Sequence, residues 1–488
     1  MNISIVRYIL GQILKVEALL LLIPCIIALI YGEKEGLCFI VVAALSALLG
    51  FLFSWKKPKN NVFYLKEGCV TTASSWIMLS LIGCLPFYIS KEIPSFTNAL
   101  FETISGFTTT GATILSDIES MSHCMLFWRS FTHWIGGMGV LVFLLAIAPM
   151  TGGSHMNLMK AESTGPSVGK LVPKVRTTAR ILYLLYFCLT VLQFFLLVIG
   201  KIPLFDSLCI AMGTAGTGGY GILGNSFVDY SPYCIWVTGI FMILFGFNFN
   251  FYYLILFRKF KKAFTMEEIR AYLIIVAVAV IMIIPFILQS YDTLFETVTH
   301  AFFQVASIIT TTGYSSTDFD QWQMVPKIIL LFLMFIGGCA GSTAGGIKVA
   351  RILILFKTVL KELLSYIHPK SIKKIQLEHK PIEHEVIRAT NVYLIIFIVV
   401  FAGSLFLISF ENKDFMTNFS AIAATLNNIG PGFEMVGPMQ NFDHFSVFSK
   451  FVMMFDMLAG RLELFPLLLL FNPILWKEHL SVKQTESR

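Results

Sequence analysis

Long apolar runs separated by short polar loops recur along nearly the whole chain. The first two runs, Ile5–Gly32 and Leu37–Trp55, are each long enough for a helix that crosses a bilayer, which takes about 20 residues. Ile5–Gly32 is too long for the core of a signal peptide and has no small-residue cleavage site, so we interpret it as a spanning helix. The pattern predicts an all-α polytopic membrane protein.

A second pattern begins after residue 60 and occurs four times. Each copy has an apolar span, a short and less apolar segment, a stretch rich in Thr, Ser and Gly, a second span and a basic loop. The short segments with their polar stretches are residues 96–113, 204–221, 296–316 and 414–434. Aligning one glycine per copy gives Gly111, Gly218, Gly313 and Gly430, spaced about 100 residues apart.

The short segments are too short to span a bilayer and are typical of re-entrant segments. Irregular backbone at membrane depth is tolerated where it is buried in protein or lines a water-filled path. Four copies therefore predict a pseudo-four-fold ring of re-entrant loops around one axis. The predicted units are a two-helix N-terminal extension (1–60) and four repeats (61–160, 161–263, 264–380 and 381–488).

Composition agrees with this class. Of 488 residues, 56% are hydrophobic and 13% are charged, whereas soluble domains carry about 25% charged residues. The nine cysteines are scattered without a C-x-x-C pair, which predicts neither a disulfide framework nor a zinc site. The chain has no H-E-x-x-H and no paired aspartates in spans, so an intramembrane enzyme or scaffold stays a remote alternative.

Basic residues cluster in four loops, and the loops between them lean acidic. Cytoplasmic loops carry the Lys/Arg excess, so we place these clusters, the N-terminus and the C-terminal tail on the cytoplasmic side. The clusters are Lys56, Lys57 and Lys59; Lys170, Lys174, Arg176 and Arg180; Arg258, Lys259, Lys261 and Lys262; and Lys370, Lys373 and Lys374.

The polar stretches fit a site for a dehydrated cation. A K⁺ ion must exchange its hydration shell for oxygens, and rings of backbone carbonyls supply them. Glycine reaches the unusual dihedrals that aim carbonyls inward, and threonine adds a hydroxyl oxygen. The alternative is a small-residue helix contact. Four copies in register, each between two spans, favour the ring.

These residues resemble a known family. The chain beyond about residue 60 is similar to the membrane subunit of bacterial Trk-type K⁺ uptake systems, the TrkH/TrkG branch of the Trk/Ktr/HKT superfamily. The motifs that carry the resemblance are "TTTGAT" (108–113), "WRSFTHWIGGMGV" (128–140), "GTGGYG" (216–221), "TTTGY" (310–314), "GGCAGSTAGGIKVAR" (337–351), "NNIGPGF" (427–433) and "GRLELF" (460–465). The resemblance implies four covalently linked helix–pore loop–helix units, K⁺-channel-like, with two extra N-terminal transmembrane helices.

The resemblance also implies a K⁺ selectivity filter. Glycine at the aligned position of all four loops favours K⁺ over Na⁺. Gly216 stands where the family usually has Ser or Thr, and Tyr220 where Phe is common, so the second loop is expected to be the least regular. The implied filter residues are Thr109, Thr110, Gly111, Thr217, Gly218, Gly219, Thr311, Thr312, Gly313, Asn428, Ile429 and Gly430.

Two further sites are expected within the membrane. Small residues interrupt the second span of repeat three, which indicates either close helix packing or, as the resemblance implies, an intramembrane gate. Arg461, in the middle of the last span, is expected to influence ion passage, or else to be a structural charge bonded to pore-helix carbonyls or paired with Glu463 or Asp456. The implied gate residues are Gly337, Gly338, Cys339, Ala340, Gly341, Ser342, Thr343, Ala344, Gly345, Gly346 and Lys348.

The remaining polar residues receive structural interpretations. Arg129 is expected to anchor its span at the membrane interface, and Glu102, His133, His155 and His300 are expected to be satisfied polar groups. No spacing predicts a transition-metal site.

The resemblance implies K⁺ uptake across the bacterial inner membrane by a transporter that is not an enzyme. Na⁺ transport or Na⁺/K⁺ symport through the same architecture is the alternative. K⁺ would be bound in the filter, with no organic cofactor in this chain. The expected partners are a second copy of the chain in a homodimer, a cytosolic nucleotide-binding ring (RCK-type, TrkA-like) and the lipid bilayer, with no nucleic acid.

Overall fold

The computed structural model describes residues 1–58, 64–137, 139, 175–368, 374–378 and 380–475. Several residues named above lie outside this part of the chain. They are Lys59, His155, Lys170, Lys174, Lys370, Lys373, the side chain of Arg176 and the tail 476–488.

Three helices form the N-terminal extension: α1 (Ile3–Leu20), α2 (Ile23–Tyr31) and α3 (Gly36–Ser54). The helices α1 and α2 together make the first predicted span, and α3 makes the second. Where α1 crosses α3, Gly11 and Gly50 let the two backbones touch, since a Cβ on either would overlap the other helix. The predicted pair of extra spans is therefore confirmed.

The rest of the described chain repeats one order of elements four times. A long helix is followed by a short helix, an extended loop and a second, often broken, helix. The elements are α4 (Leu65–Gly83), α5 (Leu85–Ser90), α6 (Phe96–Phe107) and α7 (His123–Gly137); α8 (Val175–Ile199), α9 (Leu204–Gly216), α10 (Pro232–Phe245), α11 (Phe249–Leu256) and α12 (Phe260–Phe264); α13 (Glu267–Ile287), α14 (Leu294–Ile309), α15 (Met324–Ile336), α16 (Val349–Ile367), β1 (Gln376–Leu377) and β2 (Lys380–Pro381); and α17 (His384–Ile408), α18 (Phe415–Leu426), α19 (Val447–Arg461) and α20 (Phe465–Leu470).

The short helices α6, α9, α14 and α18, called the pore helices below, begin at defined caps. The side chains of Ser95, Thr293 and Asp414 accept a hydrogen bond from the backbone two or three residues into the helix, and α9 begins after Pro203. Each pore helix has 12 to 16 residues, too few to cross a bilayer, and is buried over most of its length. The prediction of re-entrant segments is confirmed.

In repeats two, three and four the second span is interrupted. The helices α10 and α11 meet at 91° around Gly246, and α19 gives way to α20 after Arg461. As predicted, the span of repeat three is interrupted, here over residues 337–348, which we call the intramembrane loop. In the described residues six helices are long and apolar enough to cross a membrane, and the bent pair makes a seventh.

Arg129 lies in the protein interior, so the prediction that it anchors the membrane interface is wrong. Its guanidinium lies 2.8 Å from Glu102 on the pore helix α6, and both side chains are at most 1% exposed. Glu102 also accepts hydrogen bonds from Thr113 and the backbone of Ile114, as expected for a satisfied group. The Tyr220 ring covers the guanidinium at 4.1 Å. This buried pair joins repeat one to the second loop.

We expect Arg129→Met to lower the free energy of unfolding by about 3–5 kcal/mol, because it leaves the Glu102 carboxylate buried without its cation. The double variant Glu102→Gln/Arg129→Met should be less destabilised than Arg129→Met alone. The measurement is the midpoint of thermal unfolding of the detergent-solubilised protein.

Lys357→Met is the control, because Lys357 pairs with Glu267 at a partly exposed site and its loss should cost less than about 1 kcal/mol. If Lys357→Met and Arg129→Met lower the free energy of unfolding equally, burial of the Arg129–Glu102 pair does not account for its effect.

Candidate functional site: a ring of four loops

All four pore helices end in the same hydrogen-bonded turn. Just beyond each helix one residue donates its backbone N–H to a carbonyl five residues earlier, and the residue before it donates to a carbonyl three residues earlier. This is the Schellman motif. The five-residue bonds, 2.8–2.9 Å long, are Thr110 to Ser105, Gly218 to Gly213, Thr312 to Ser307 and Ile429 to Ala424.

The residue that turns the chain in each motif is not a glycine. Thr109, Thr217, Thr311 and Asn428 adopt left-handed φ values of 54–56°. This conformation costs a β-branched residue about 1–2 kcal/mol, and glycine usually occupies it. Backbone strain kept at four equivalent positions marks the loops as a candidate functional site.

A glycine with positive φ follows two residues after each left-handed residue. These glycines are Gly111 (φ 80°), Gly219 (φ 74°), Gly313 (φ 88°) and Gly430 (φ 104°). The alignment that placed Gly218 at this position is therefore wrong by one residue, because the pair of adjacent glycines hides the register in the sequence. Gly218 is equivalent to Thr110, Thr312 and Ile429.

These glycines close the loops into a ring. A Cβ built on each would come closer than 3.0 Å to the carbonyl oxygen of the next repeat. The pairs run once around the molecule: Gly111 with Gly218, Gly219 with Thr312, Gly313 with Ile429, and Gly430 with Thr110. We call Thr109–Gly111, Thr217–Gly219, Thr311–Gly313 and Asn428–Gly430 the four-loop ring.

The ring keeps its own carbonyl oxygens free. Its backbone N–H groups at the turn are used inside the Schellman motifs, so they do not compete for those carbonyls. Within the described part of the chain, no hydrogen-bond donor reaches the carbonyl oxygens of the twelve ring residues. Buried carbonyls are normally paired, so these unpaired oxygens are available to coordinate a cation.

Side chains behind the ring differ between repeats. In repeats one and three a pair of threonine hydroxyls braces the turn, Thr108 with Thr110 at 2.8 Å and Thr310 with Thr312 at 2.7 Å. In repeat four Asn428 donates to Thr110 and to the Met457 carbonyl, both at 2.9 Å.

The second loop lacks such side chains, and His133 of α7 fills the space. A Cβ on Gly218 would overlap the His133 imidazole, and one on Gly216 would overlap the His133 backbone. The His133 Nδ1 lies 2.8 Å from the Gly106 carbonyl, and the Tyr220 hydroxyl donates to the Glu102 carbonyl at 2.7 Å. Gly216 is therefore packed tightly against His133.

The intramembrane loop lies against the side of the ring where the pore helices end. The Gly345 N–H donates to the Thr311 hydroxyl at 2.6 Å, and the Gly346 N–H donates to the Asn427 carbonyl at 3.2 Å. The two ends of the loop are held together by two backbone hydrogen bonds. The Lys348 N–H donates to the Ile336 carbonyl at 2.9 Å, and the Ile347 N–H donates to the Phe335 carbonyl at 3.1 Å. The loop is thus an excursion from one span, and the alternative of simple close helix packing does not describe it.

Arg461 bridges the intramembrane loop and repeat one. Its guanidinium donates to the Thr343 carbonyl at 2.9 Å and to the Gly136 carbonyl at 2.6 Å. The acids considered as its partners are engaged elsewhere, since Glu463 pairs with Arg351 and Asp456 accepts from Ser404. These two hydrogen bonds link the loop to α7 through Arg461.

Lys348, at the end of the loop, donates to the Ala344 carbonyl. Among the described residues no cluster of His, Cys, Asp and Glu could hold a metal ion.

A membrane protein whose four re-entrant segments close around one axis belongs to the channel-like class of ion transport proteins. The profile of the TrkH family, described as "Cation transport protein", matches residues 34–481. The chain therefore belongs to the TrkH family, and it is a transporter and not an enzyme.

Named relatives are similar over nearly their whole length. "Trk system potassium uptake protein TrkH" of Salmonella typhimurium (strain LT2) is 34% identical over 94% of this chain and 96% of its own. "Trk system potassium uptake protein TrkG" of Escherichia coli (strain K12) is 30% identical over 98% and 99%. The crystal structure of the potassium transporter TrkH from Vibrio parahaemolyticus is 29% identical, with a TM-score of 0.88 over 98% of this chain and 100% of that one.

Sequence reasoning missed three participants in the site. His133 was interpreted as a satisfied polar group. It also packs against the second loop, where Gly216 and Gly218 leave room for it. Glu268, which accepts from the loop, and Asn248, which donates to Glu268, were not singled out because they are far from the loop in the sequence: Glu268 is 72 residues from Ala340, and Asn248 lies in repeat two. The available signal was the pair Asn248 and Asn250, two polar residues in an otherwise apolar segment beside Gly246.

The packing of the second loop gives a test. Gly218→Ala should lower the free energy of unfolding by about 1–3 kcal/mol, and adding His133→Ala should restore part of the loss by removing the overlapping ring. Gly219→Ala should not be rescued by Thr312→Ala, because its overlap is with a backbone carbonyl. Thermal unfolding midpoints in detergent provide the measurement.

Gly403→Ala is the matched control, since a Cβ there meets no atom within 4 Å. Rescue of Gly219→Ala by Thr312→Ala, or failure of His133→Ala to rescue Gly218→Ala, would contradict the register described above.

Proposed function

We propose that this chain takes up K⁺ through a selectivity filter formed by the four-loop ring. The observation that carries the proposal is the set of free carbonyl oxygens on four equivalent, strained loops. Relatives up to 34% identical are named potassium uptake proteins, which supports K⁺ as the ion. K⁺ is the substrate and passes inward down its electrochemical gradient.

In the proposed filter the carbonyls of Thr109–Gly111, Thr217–Gly219, Thr311–Gly313 and Asn428–Gly430 replace the hydration shell of K⁺. Their spacing is held by the Schellman motifs, by the glycine–carbonyl contacts and by the side chains behind them. The C-terminal ends of the pore helices, which carry partial negative charge, face the ring and favour a cation.

The intramembrane loop is the proposed gate. It crosses the end of the ring and hydrogen-bonds to Thr311, one of the four left-handed residues. In this position it obstructs the path beneath the filter, and passage requires the loop to move. Arg461 is the proposed pore charge, which holds the loop through the Thr343 carbonyl.

The remaining proposals concern the cellular location, the partners and the coupling to a second cation. We place the protein in the bacterial inner membrane with both termini in the cytoplasm, supported by the basic residues Lys56, Lys57 and Arg258–Lys262. We also propose a homodimer with a cytosolic nucleotide-binding ring as regulator; the words "Trk system" in the names of the relatives support association with other Trk components. Coupling to a second cation, as in symport, fits the same path.

Serine in place of a ring glycine tests the filter. Gly111→Ser, Gly219→Ser and Gly313→Ser should each lower the preference for K⁺ over Na⁺ by about five- to ten-fold, a loss of about 1–1.4 kcal/mol, because the added side chain displaces the neighbouring carbonyl. The measurement is competition by K⁺ and Na⁺ for ⁸⁶Rb⁺ uptake in a K⁺-uptake-deficient bacterium.

Gly403→Ser, on an open helix surface, should leave the preference unchanged. If Gly111→Ser and Gly313→Ser reach the membrane in normal amounts and keep the parental selectivity, the filter is excluded. If K⁺ and Na⁺ block ⁸⁶Rb⁺ uptake by the parent equally, Na⁺ transport or Na⁺/K⁺ symport is favoured.

Removal of the gate is a separate test. Deletion of residues 341–345 should increase ⁸⁶Rb⁺ flux into proteoliposomes several-fold, because the path beneath the ring is cleared. Thr311→Val should give a smaller rise, since it removes the hydroxyl that accepts from Gly345. Thr217→Val is its control, because that hydroxyl donates to the adjacent Gly216 carbonyl and does not touch the loop. Unchanged flux after the deletion would overturn the gate.

A further inference from the structure

The first half of the intramembrane loop is fastened to a different part of the protein from the second half. The second half contacts the ring and Arg461. The first half fits into the bend between α10 and α11 of repeat two. There the backbone N–H of Cys339 donates to the Gly246 carbonyl at 3.0 Å, and the Gly341 carbonyl accepts from the backbone N–H of Phe249 at 3.1 Å. The loop is therefore held from two sides.

Glu268 lies at the centre of the first attachment. It is the second residue of α13, 4% exposed, and its Oε1 accepts from the Ala340 N–H at 2.5 Å. Its Oε2 accepts from the Asn248 side chain at 3.3 Å. The Asn248 Oδ1 accepts in turn from the Asn250 N–H at 3.0 Å, which orients the amide so that its nitrogen faces Glu268.

A helix-capping role does not account for a carboxylate at this position. An acid in the first turn of a helix stabilises the helix dipole from a solvated position, and the neighbouring Glu267 already supplies one. Glu267 faces Lys357 and the backbone of Glu378, away from the loop. Burying a second carboxylate costs free energy unless specific donors meet it. The donors that meet Glu268 come from the loop and from the bend that holds the loop.

We propose that Glu268 is a positioning residue that holds the first half of the intramembrane loop in its blocking position. When the loop leaves, Glu268 loses the Ala340 N–H and stays buried with one donor fewer, so the closed position is favoured. The inference rests on the proposed gate, which it deepens by naming the residue that sets how readily the gate opens.

Cys339 supplies a readout that does not depend on flux. Its thiol belongs to the loop, is 0% exposed and is free. A full-length variant that keeps Cys339 and replaces the other eight cysteines therefore reports movement of the loop. The probe is a charged methanethiosulfonate reagent applied to the cytoplasmic side of membrane vesicles, and the rate of modification is followed by mass spectrometry.

In this background Glu268→Ala should raise the modification rate of Cys339 about ten-fold or more and should raise ⁸⁶Rb⁺ flux in parallel. Glu268→Gln keeps one acceptor oxygen and nearly the same shape, so it should give a smaller rise of about two- to five-fold. Glu267→Ala and Glu267→Gln are the matched controls, one residue away on the same helical turn, and should leave both quantities at the parental values.

The outcomes separate this inference from the gate itself. If deleting residues 341–345 raises flux while the Glu268 variants match the parent in modification and flux, the positioning role is overturned and the gate stands. If the deletion leaves flux unchanged, both are overturned. Equal increases in the Glu267 and Glu268 variants would show a general loosening of α13 and would also overturn the proposal. Should Glu268→Ala fail to fold, the near-isosteric Glu268→Gln carries the test.

Discussion

Four contacts between a glycine and the carbonyl of the next loop close the ring on which the rest of the structure depends. Each contact requires the absence of a side chain, because a Cβ at Gly111, Gly219, Gly313 or Gly430 would overlap the neighbouring carbonyl. Three other features help to bring these loops together. They are the lengths of the pore helices, the left-handed residue at the end of each and the side chains behind the ring. Polar groups are buried there, and the outer helix faces are left apolar for lipid.

The order of elements could be predicted from the sequence because apolar length and small polar stretches are local signals. The four pore segments and the interruption at residues 337–348 were found this way. The register of the second loop was not, since Gly218 and Gly219 are indistinguishable until the backbone shows which has positive φ. Arg129 was misplaced for a related reason: its partner Glu102 lies 27 residues away, on another helix, and no pattern joins them.

Contacts of the intramembrane loop were the least predictable part of the site. The composition of the loop indicates a broken helix, yet its hydrogen-bond partners come from repeats two, three and four: Gly246, Thr311 and Asn427 are examples. A sequence read along the chain cannot reveal such a convergence, because each partner is ordinary in its own segment. The pseudo-four-fold arrangement brings these segments together around the excursion formed by the second span of repeat three.

Covalent linkage of the four quarters has a consequence for how such a ring can change. In a channel built from four identical chains, one substitution appears four times and any cost is multiplied accordingly. Here each substitution occurs once, so a single quarter can drift while the other three keep the ring closed. The second loop illustrates this freedom, since it has two glycines and a histidine from a neighbouring helix where repeats one and three have a pair of threonine hydroxyls.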